Sequence, residues 1–190
     1  FLSSKSNRIR ADLAIDSSGR IYGAGFTRDA VNNNTPAVWR FTTTGRRDTT
    51  WDGDGRFVTG FTTGGDYESC VIDASNRLIA AGRPDNTSSL ISRWNLSTGA
   101  LDTSFDGDGH ATYTFGSTTS TAIWRIGVQP DGRIVGGAYW GTPAFDNDLA
   151  TFRVTTSGAL DTTFSGDGFD VRSNLAGGNR GDTPSGIAIT

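Results

Sequence analysis

ALDTSFDGDG, residues 100–109, is the stretch that decides the fold, because two further copies of it stand elsewhere in the chain. These copies are RRDTTWDGDG at 46–55 and ALDTTFSGDG at 159–168, so the three are offset by 54 and 59 residues. A motif that recurs at such a spacing indicates a protein built from tandem supersecondary units.

Two further motifs recur in step with the first. One reads IDSSGRI at 15–21, IDASNRL at 72–78 and VQPDGRI at 128–134. The other precedes each acidic turn and reads WRF at 39–41, SRW at 92–94 and FRV at 152–154. Because the three motifs keep one order, the sequence predicts three repeats at 1–66, 67–121 and 122–184. Residues 185–190 match the first strand of a fourth repeat.

Each repeat predicts four short strands, labelled a to d in chain order. The predicted bounds are 9–15, 67–72 and 122–128 for strand a; 20–26, 77–82 and 133–140 for strand b; 36–43, 88–95 and 148–155 for strand c; and 56–61, 110–115 and 169–173 for strand d. The turn between strands a and b contains Gly19, Asn76 or Gly132. Asparagine replaces glycine in the second repeat because it tolerates positive φ.

Four short antiparallel strands in a unit of about 55 residues are typical of a β-propeller blade. The composition agrees, since 26 glycines and many Ser, Thr and aromatic residues describe an all-β chain rich in turns. The predicted fold class is therefore all-β, with three blades of four antiparallel strands and the first strand of a fourth. A β-solenoid is the alternative fold.

The third repeat carries a specific resemblance. QPDGRIVGGA at 129–138, followed by TFRVTTSGALDTTFSGDG at 151–168, resembles the delta-60 repeat family of large bacterial surface and secreted proteins. The first repeat departs from this pattern, with Arg46-Arg47 in place of Ala-Leu and Trp51 in place of phenylalanine. The resemblance implies tandem arrays of propeller-like blades and an extracellular location, and it implies no catalytic residues.

Three blades are fewer than a closed propeller needs, so we expect something to cover the open blade faces. The chain contains no methionine and begins at Phe1, which we interpret as the mark of a processed chain or a fragment. The missing blades then come from the same longer polypeptide or from other copies of the chain. The second arrangement predicts a ring or a filament.

Composition and charge exclude several classes of partner. A formal net charge of -3 and scattered arginines argue against nucleic acid. No apolar run is long enough to span a membrane as a helix. The polar, threonine-rich surface, with Lys5 as the single lysine, favours an extracellular or cell-surface protein.

The acidic turns raise the question of a metal. Asp106 and Asp108 lie among glycines, as in a calcium loop, but no copy continues with the further ligands that such a loop requires. We therefore predict structural turns and no cofactor, with calcium at Asp106 and Asp108 as the fallback.

Two series of residues keep their place in every repeat. Each strand c contains an arginine that is followed eight or nine positions later by an aspartate, which predicts a repeated ion pair or turn cap. The residue three positions after each aspartate is aromatic, and we expect this ring to fill the wedge between blades. The residues are Arg40, Arg93 and Arg153; Asp48, Asp102 and Asp161; and Trp51, Phe105 and Phe164.

No combination of residues indicates catalysis. His110 is the only histidine, and no serine stands in a nucleophile motif that it would serve. Cys70 occupies a strand position held elsewhere by Leu13 and Ile126, which indicates a buried apolar residue. Pairs of Asp and Glu for glycoside hydrolysis stay open, but Glu68 is the only glutamate and no acid stands out in an apolar setting.

These observations predict a non-enzymatic extracellular protein with a structural or adhesive role, whose partners are further repeats or copies of itself. The alternative is a propeller that binds carbohydrate or another ligand, including surface glycans. A pocket with two or more exposed aromatic rings beside polar groups would favour this alternative. A hydrolase of propeller type is the third hypothesis, and clustered acids with raised pKa values would favour it.

Overall fold

The computed structural model describes residues 8–29, 31–117, 119–141, 147–173, 175 and 181–189. Within these residues the chain forms twelve strands and no helix, so no helix of the described part can span a membrane. The strands are β1 (Arg8–Ile15), β2 (Ile21–Arg28), β3 (Asn34–Phe41), β4 (Arg56–Val58), β5 (Asp66–Ile72), β6 (Arg77–Arg83), β7 (Ser89–Asn95), β8 (His110–Tyr113), β9 (Thr121–Val128), β10 (Ile134–Gly141), β11 (Asn147–Val154) and β12 (Phe169–Arg172).

The twelve strands form three sheets of four, in the orders β1-β2-β3-β4, β5-β6-β7-β8 and β9-β10-β11-β12. All neighbouring strands are antiparallel, so each sheet is a simple meander. This architecture confirms the all-β prediction and matches propeller blades. We call the sheets blade 1, blade 2 and blade 3 in chain order. Sheets of this kind are not the coils of a β-solenoid, and they do not close into a barrel.

The outer strand of each blade is shorter than the sequence predicts. Strand d ends at Val58, Tyr113 and Arg172, whereas the apolar pattern extends to 61, 115 and 173. In blade 2 the chain leaves the sheet because Phe115 and Gly116 both have positive φ, at 48° and 73°. A backbone in this region cannot continue a strand.

The acidic turn before each outer strand has one backbone conformation in all three blades. Its first, second and fourth residues have positive φ, which explains why three of the four positions hold glycine or aspartate almost throughout. In the second copy these residues are Asp106, Gly107 and Gly109, with φ of 52°, 86° and 90°. Ser165 takes the place of the first aspartate in the third copy and keeps the same conformation, with φ of 55°.

The blades pack face to face through their first strands. Strand β5 lies against β1, β2 and β3, and strand β9 lies against β5, β6 and β7. Two apolar clusters fill these interfaces. One contains Tyr22, Val38, Leu78 and Trp94, and the other contains Ile79, Ile91, Phe152 and their neighbours. The hydrophobic core therefore lies between blades.

The middle blade is buried on both faces. Leu78 belongs to the cluster shared with blade 1, whereas its neighbour Ile79 belongs to the cluster shared with blade 3. This alternation follows from the two-residue period of a strand. In blade 3, by contrast, strand β11 buries only every second residue.

Residues 181–189 lie against the outer face of blade 3. A Cβ atom on Gly127 would lie 2.9 Å from side-chain atoms of Ile189, and one on Gly137 would lie 2.7 Å from Pro184. Arg125 Nε donates a hydrogen bond to the Ser185 carbonyl at 3.2 Å. The structure describes these residues outside any strand. The repeat boundaries predicted from the sequence stay predictions, and residues 1–7 and Thr190 lie outside the described residues.

Candidate functional site

The arginine and aspartate of each repeat lie together at the turn that follows strand c. The distance from Nε to Oδ2 is 2.8 Å for Arg40 and Asp48, 2.8 Å for Arg93 and Asp102, and 2.7 Å for Arg153 and Asp161. The second and third contacts are hydrogen-bonded ion pairs. In the first repeat Nε is buried without an aligned acceptor, so that contact is an ion pair only.

A hydroxyl group joins each arginine to its aspartate. Thr50 Oγ1 accepts a hydrogen bond from Arg40 Nη2 at 2.8 Å and donates one to Asp48 Oδ1 at 2.6 Å. Ser104 and Thr163 make the same two contacts in the other repeats. This third member of the series follows the aspartate by two positions in every repeat, a regularity that is visible in the sequence but lies outside the predicted ion pair.

The hydrogen bonds stabilise the ionised form of these carboxylates. The hydroxyl of Thr163 and the neighbouring Arg153 lower the pKa of Asp161 to about 2. For Asp48, the Thr50 hydroxyl is likewise the main cause of a lowered pKa. Burial acts to raise the pKa of Asp102, but its hydrogen bonds and Arg93 outweigh that effect and the pKa is lowered.

The aromatic residue of each repeat packs under the arginine. The guanidinium carbon lies 5.6 Å from the ring centroid of Trp51 in the first repeat, 4.7 Å from Phe105 in the second and 5.4 Å from Phe164 in the third. These are cation–π distances. Arginine, aspartate, hydroxyl and ring therefore form one repeated cluster, which we call the turn cluster.

The ring of one blade also contacts a glycine of the next blade. A Cβ atom on Gly99 would lie 2.7 Å from Trp51, and one on Gly158 would lie 3.3 Å from Phe105. Trp51 and Phe105 are accordingly buried, whereas Phe164 is only half-buried. Trp51 therefore packs between blades 1 and 2, and Phe105 packs between blades 2 and 3. The sequence analysis did not identify the glycines as their partners.

Hydrogen bonds accompany the ring at the joint between blades 2 and 3. Arg93 Nη1 donates to the Thr156 carbonyl at 2.6 Å, and the Tyr113 hydroxyl donates to the Gly158 carbonyl at 2.6 Å. The Asp106 backbone N–H donates to the Ser157 carbonyl at 2.9 Å. The acidic turn therefore contributes its backbone to the joint between two blades.

The acidic turns have a second role in starting the outer strands. Asp54, Asp108 and Asp167 each accept a hydrogen bond through Oδ1 from the backbone N–H two residues later, at 2.9, 2.8 and 3.2 Å. In the described part of the chain, no three His, Cys, Asp or Glu side chains are grouped to hold a metal ion. The calcium fallback at Asp106 and Asp108 stays a prediction.

His110 belongs to a polar network inside blade 2. Its Nδ1 is hydrogen-bonded to Ser92 Oγ at 2.7 Å, and the Tyr67 hydroxyl donates to the same Oγ at 2.6 Å. Ser92 and Tyr67 are fully buried. Cys70 is buried as well, and burial raises the pKa of its thiol to about 12. A serine and a thiol in such positions cannot meet a substrate from solution.

A cleft between blades 2 and 3 contains residues that the sequence analysis did not single out as a site. It has a volume of about 220 Å³ and is lined by Glu68, Arg83, Ala122, Trp124 and Tyr139. We call it the interblade cleft. It combines two half-buried aromatic rings with a carboxylate and a guanidinium, which is close to the pocket with exposed rings beside polar groups that would favour ligand binding.

Two stretches of the chain, residues 16–50 and 129–164, match the model of one protein family. The family is described as "Domain of unknown function (DUF5122) beta-propeller". The chain is similar to a family of β-propeller repeats. The matched stretches cover less than half of the chain, and they include the arginine and aspartate of the first and third turn clusters. No match to a curated protein was found.

Proposed function

We propose that this chain is a non-enzymatic structural or adhesive repeat protein of the bacterial surface or extracellular space, which assembles end to end into a ring or filament. We further assign its repeats to the delta-60 type. One observation carries the proposal: the same ring-on-glycine joint links blade 1 to blade 2 and blade 2 to blade 3. A joint that works twice within the chain can work again between chains.

The turns at the two ends of the blade stack present complementary halves of this joint, while residues 181–189 cover part of the outer face of blade 3 beside it. Gly45 corresponds to Gly99 and Gly158, yet a Cβ atom on it would meet nothing within 4 Å. Phe164 corresponds to Trp51 and Phe105, yet it is half-buried. Strand β1 also exposes Leu13 and Ile15, at 61% and 66% of their surface. In blade 2, Cys70 occupies the strand position that corresponds to Leu13, and it is buried.

The structure also supports the non-enzymatic part of the proposal. The single histidine is tied to a buried serine, and the single cysteine is buried with a raised pKa. Arginine and aspartate recur as structural pairs at the same place in each blade, with no pattern of raised acidic pKa values in the turn cluster. The extracellular location rests on the polar, lysine-poor composition.

Native mass and particle shape test the proposal. We expect light scattering to show a mass that rises with concentration, and electron microscopy to show rings or filaments. The Phe164→Asp variant removes the ring that would meet Gly45 of a neighbour, and it introduces a charge that the joint cannot accommodate. We therefore expect this variant to remain a monomer at concentrations where the unmodified chain associates.

The matched control is Val31→Asp, because Val31 is 73% exposed in the loop between β2 and β3, away from the joint residues. This variant should associate like the unmodified chain. A chain that stays monomeric at all concentrations would overturn end-to-end assembly, and equal association of both variants would show that Phe164 is not part of the interface.

A further inference from the structure

The interblade cleft is built by two β-bulges. In blade 2, Tyr67 pairs with Gly82 and Ser69 pairs with Ala81, so the strand register shifts by one residue at Glu68. In blade 3, the register shifts in the same way at Trp124, between Ile123 and Arg125. A bulge changes the direction of a side chain and is common beside binding sites. Both bulged side chains line the same cleft.

The other two polar side chains of the cleft are held in place by neighbours. Arg83 Nε donates a hydrogen bond to Asp66 Oδ1 at 2.9 Å, and Asp66 is fully buried. The Tyr139 hydroxyl is hydrogen-bonded to Ser120 Oγ at 2.6 Å. Residues that are fixed before binding lose little conformational entropy when a ligand arrives.

The aromatic pair is not required by the blade fold. Glu68 and Trp124 occupy the same bulge position in successive blades, and Arg83 and Tyr139 occupy the same position of strand b, opposite Asp66 and Ala122. One blade therefore forms with a charged pair at these positions and the next with an aromatic pair. The turn cluster, by contrast, keeps its residue types in every blade. Residues that differ between equivalent positions while the turn cluster stays constant are typical of a binding site on a repeat protein.

The chemistry of the cleft selects the class of ligand. Two ring faces provide apolar contact, the Glu68 carboxylate accepts hydrogen bonds and the Arg83 guanidinium donates them. The formal charges of Asp66, Glu68 and Arg83 sum to one negative charge, which does not attract an anion. The Arg83 guanidinium supplies hydrogen-bond donors, which an ammonium ligand has no acceptor to meet. A neutral polyol with one less polar face meets all of these conditions.

We propose that the interblade cleft binds one residue of a neutral carbohydrate. The volume of about 220 Å³ lies below the range of pockets for drug-sized ligands, so the cleft takes a single sugar ring, such as the end of a glycan chain. This function is separate from end-to-end assembly, because Phe164 and Gly45 are not among the residues that line the cleft.

Titration with defined saccharides tests the inference. The probes are neutral hexasaccharides of glucose, galactose and N-acetylglucosamine, with a galacturonic acid hexasaccharide and tetramethylammonium for comparison, measured by calorimetry and tryptophan fluorescence. We expect at least one neutral hexasaccharide to bind. The Trp124→Glu and Tyr139→Ala variants should each weaken that binding by about tenfold or more, since both remove stacking surface.

Two controls keep the test decisive. Trp124→Glu introduces the residue type that blade 2 already carries at this position, so we expect the variant to fold with an unchanged thermal midpoint. Phe164→Asp, the assembly variant, should bind the saccharide as the unmodified chain does, which separates this proposal from end-to-end assembly. Failure of every neutral hexasaccharide to bind, or binding that Trp124→Glu leaves unchanged, would overturn the inference. Binding of galacturonic acid or tetramethylammonium alone would show that the ligand class is wrong.

Discussion

Arg93 is the most buried arginine of the turn cluster, and it also bonds the next blade. Its side chain is 2% exposed, it pairs with Asp102, and it donates to the Thr156 carbonyl of the next blade. Its ring contact with Phe105 is the closest of the series. Arg153 makes the same contacts within its own blade, but its side chain is 22% exposed. The two residues therefore allow the effect of burial to be measured within one motif.

We predict that Arg93→Ala lowers the free energy of unfolding by about 3 kcal/mol, because it removes a buried guanidinium that bonds Asp102, Ser104 and the Thr156 carbonyl. Arg153→Ala should lower it by about 1 kcal/mol, since water screens a partly exposed pair. Urea denaturation followed by fluorescence measures both values.

Arg172→Ala is the matched control, because Arg172 pairs with Asp170 but is 65% exposed. This variant should leave the free energy of unfolding almost unchanged. Equal losses for Arg93→Ala and Arg153→Ala would contradict the role of burial, and no loss for either would remove the turn cluster from the stability of the fold.

At the scale of elements, the joint between a ring and a glycine offers a comparison of two equivalent turns. Gly45 and Gly99 both have positive φ, at 78° and 77°, but only Gly99 contacts a ring. Gly45→Ala should therefore lower the free energy of unfolding by about 1 kcal/mol through backbone strain alone. Gly99→Ala should lower it by about twice as much or more, because Trp51 must also move.

Thermal and urea unfolding of the two variants at low protein concentration measure this difference. Low concentration is needed because a neighbouring chain would meet Gly45 if end-to-end assembly occurs. Identical losses in the two variants would mean that the Trp51 contact contributes nothing to the packing of blade 1 on blade 2.

The strands and turns could be predicted from the sequence because each depends on a short run of neighbouring residues. The apolar runs predict strands whose observed ends differ by three residues at most, as at Val58. The three copies of the acidic turn also identify the repeat. The bulges at Glu68 and Trp124 were not predicted, because one extra residue breaks the two-residue period without changing composition. The interblade cleft is lined by residues from four strands. No local sequence pattern predicts that these residues lie together.

The polar network in blade 2 escaped prediction for a related reason. Ser92, His110 and Tyr67 lie on three strands, and only their pairing brings them together. Ser92 stands at the position of Trp39 and Phe152 in the other repeats, so the exchange of a ring for a small polar residue is the one signal that the sequence offers.

For the whole molecule, a single histidine governs how stability changes near neutral pH. Burial lowers the pKa of His110, while the nearby Asp108 acts in the opposite direction. The unfolded chain therefore binds the proton more tightly than the folded chain does. We predict full stability above the ordinary histidine value of about 6.5 and a loss of stability as the pH falls through the lowered pKa.

Thermal midpoints measured from roughly pH 7.5 to pH 5.5 test this prediction, because aspartates with lowered pKa values titrate below this window. His110→Gln keeps a polar group that can bond Ser92, and it should make the midpoint independent of pH in the same window. A flat profile for the unmodified chain, or an equal slope for the variant, would contradict the assignment to His110.

The short outer strands also affect what the molecule does at high concentration. Strands β4, β8 and β12 contain only three or four residues, and each begins directly after a glycine turn. A free edge this short offers few backbone groups for sideways pairing with another sheet, which limits disordered aggregation. If chains add to one another along the blade stack, as we propose, the short outer edges keep the flanks of the assembly inert towards amyloid-like growth.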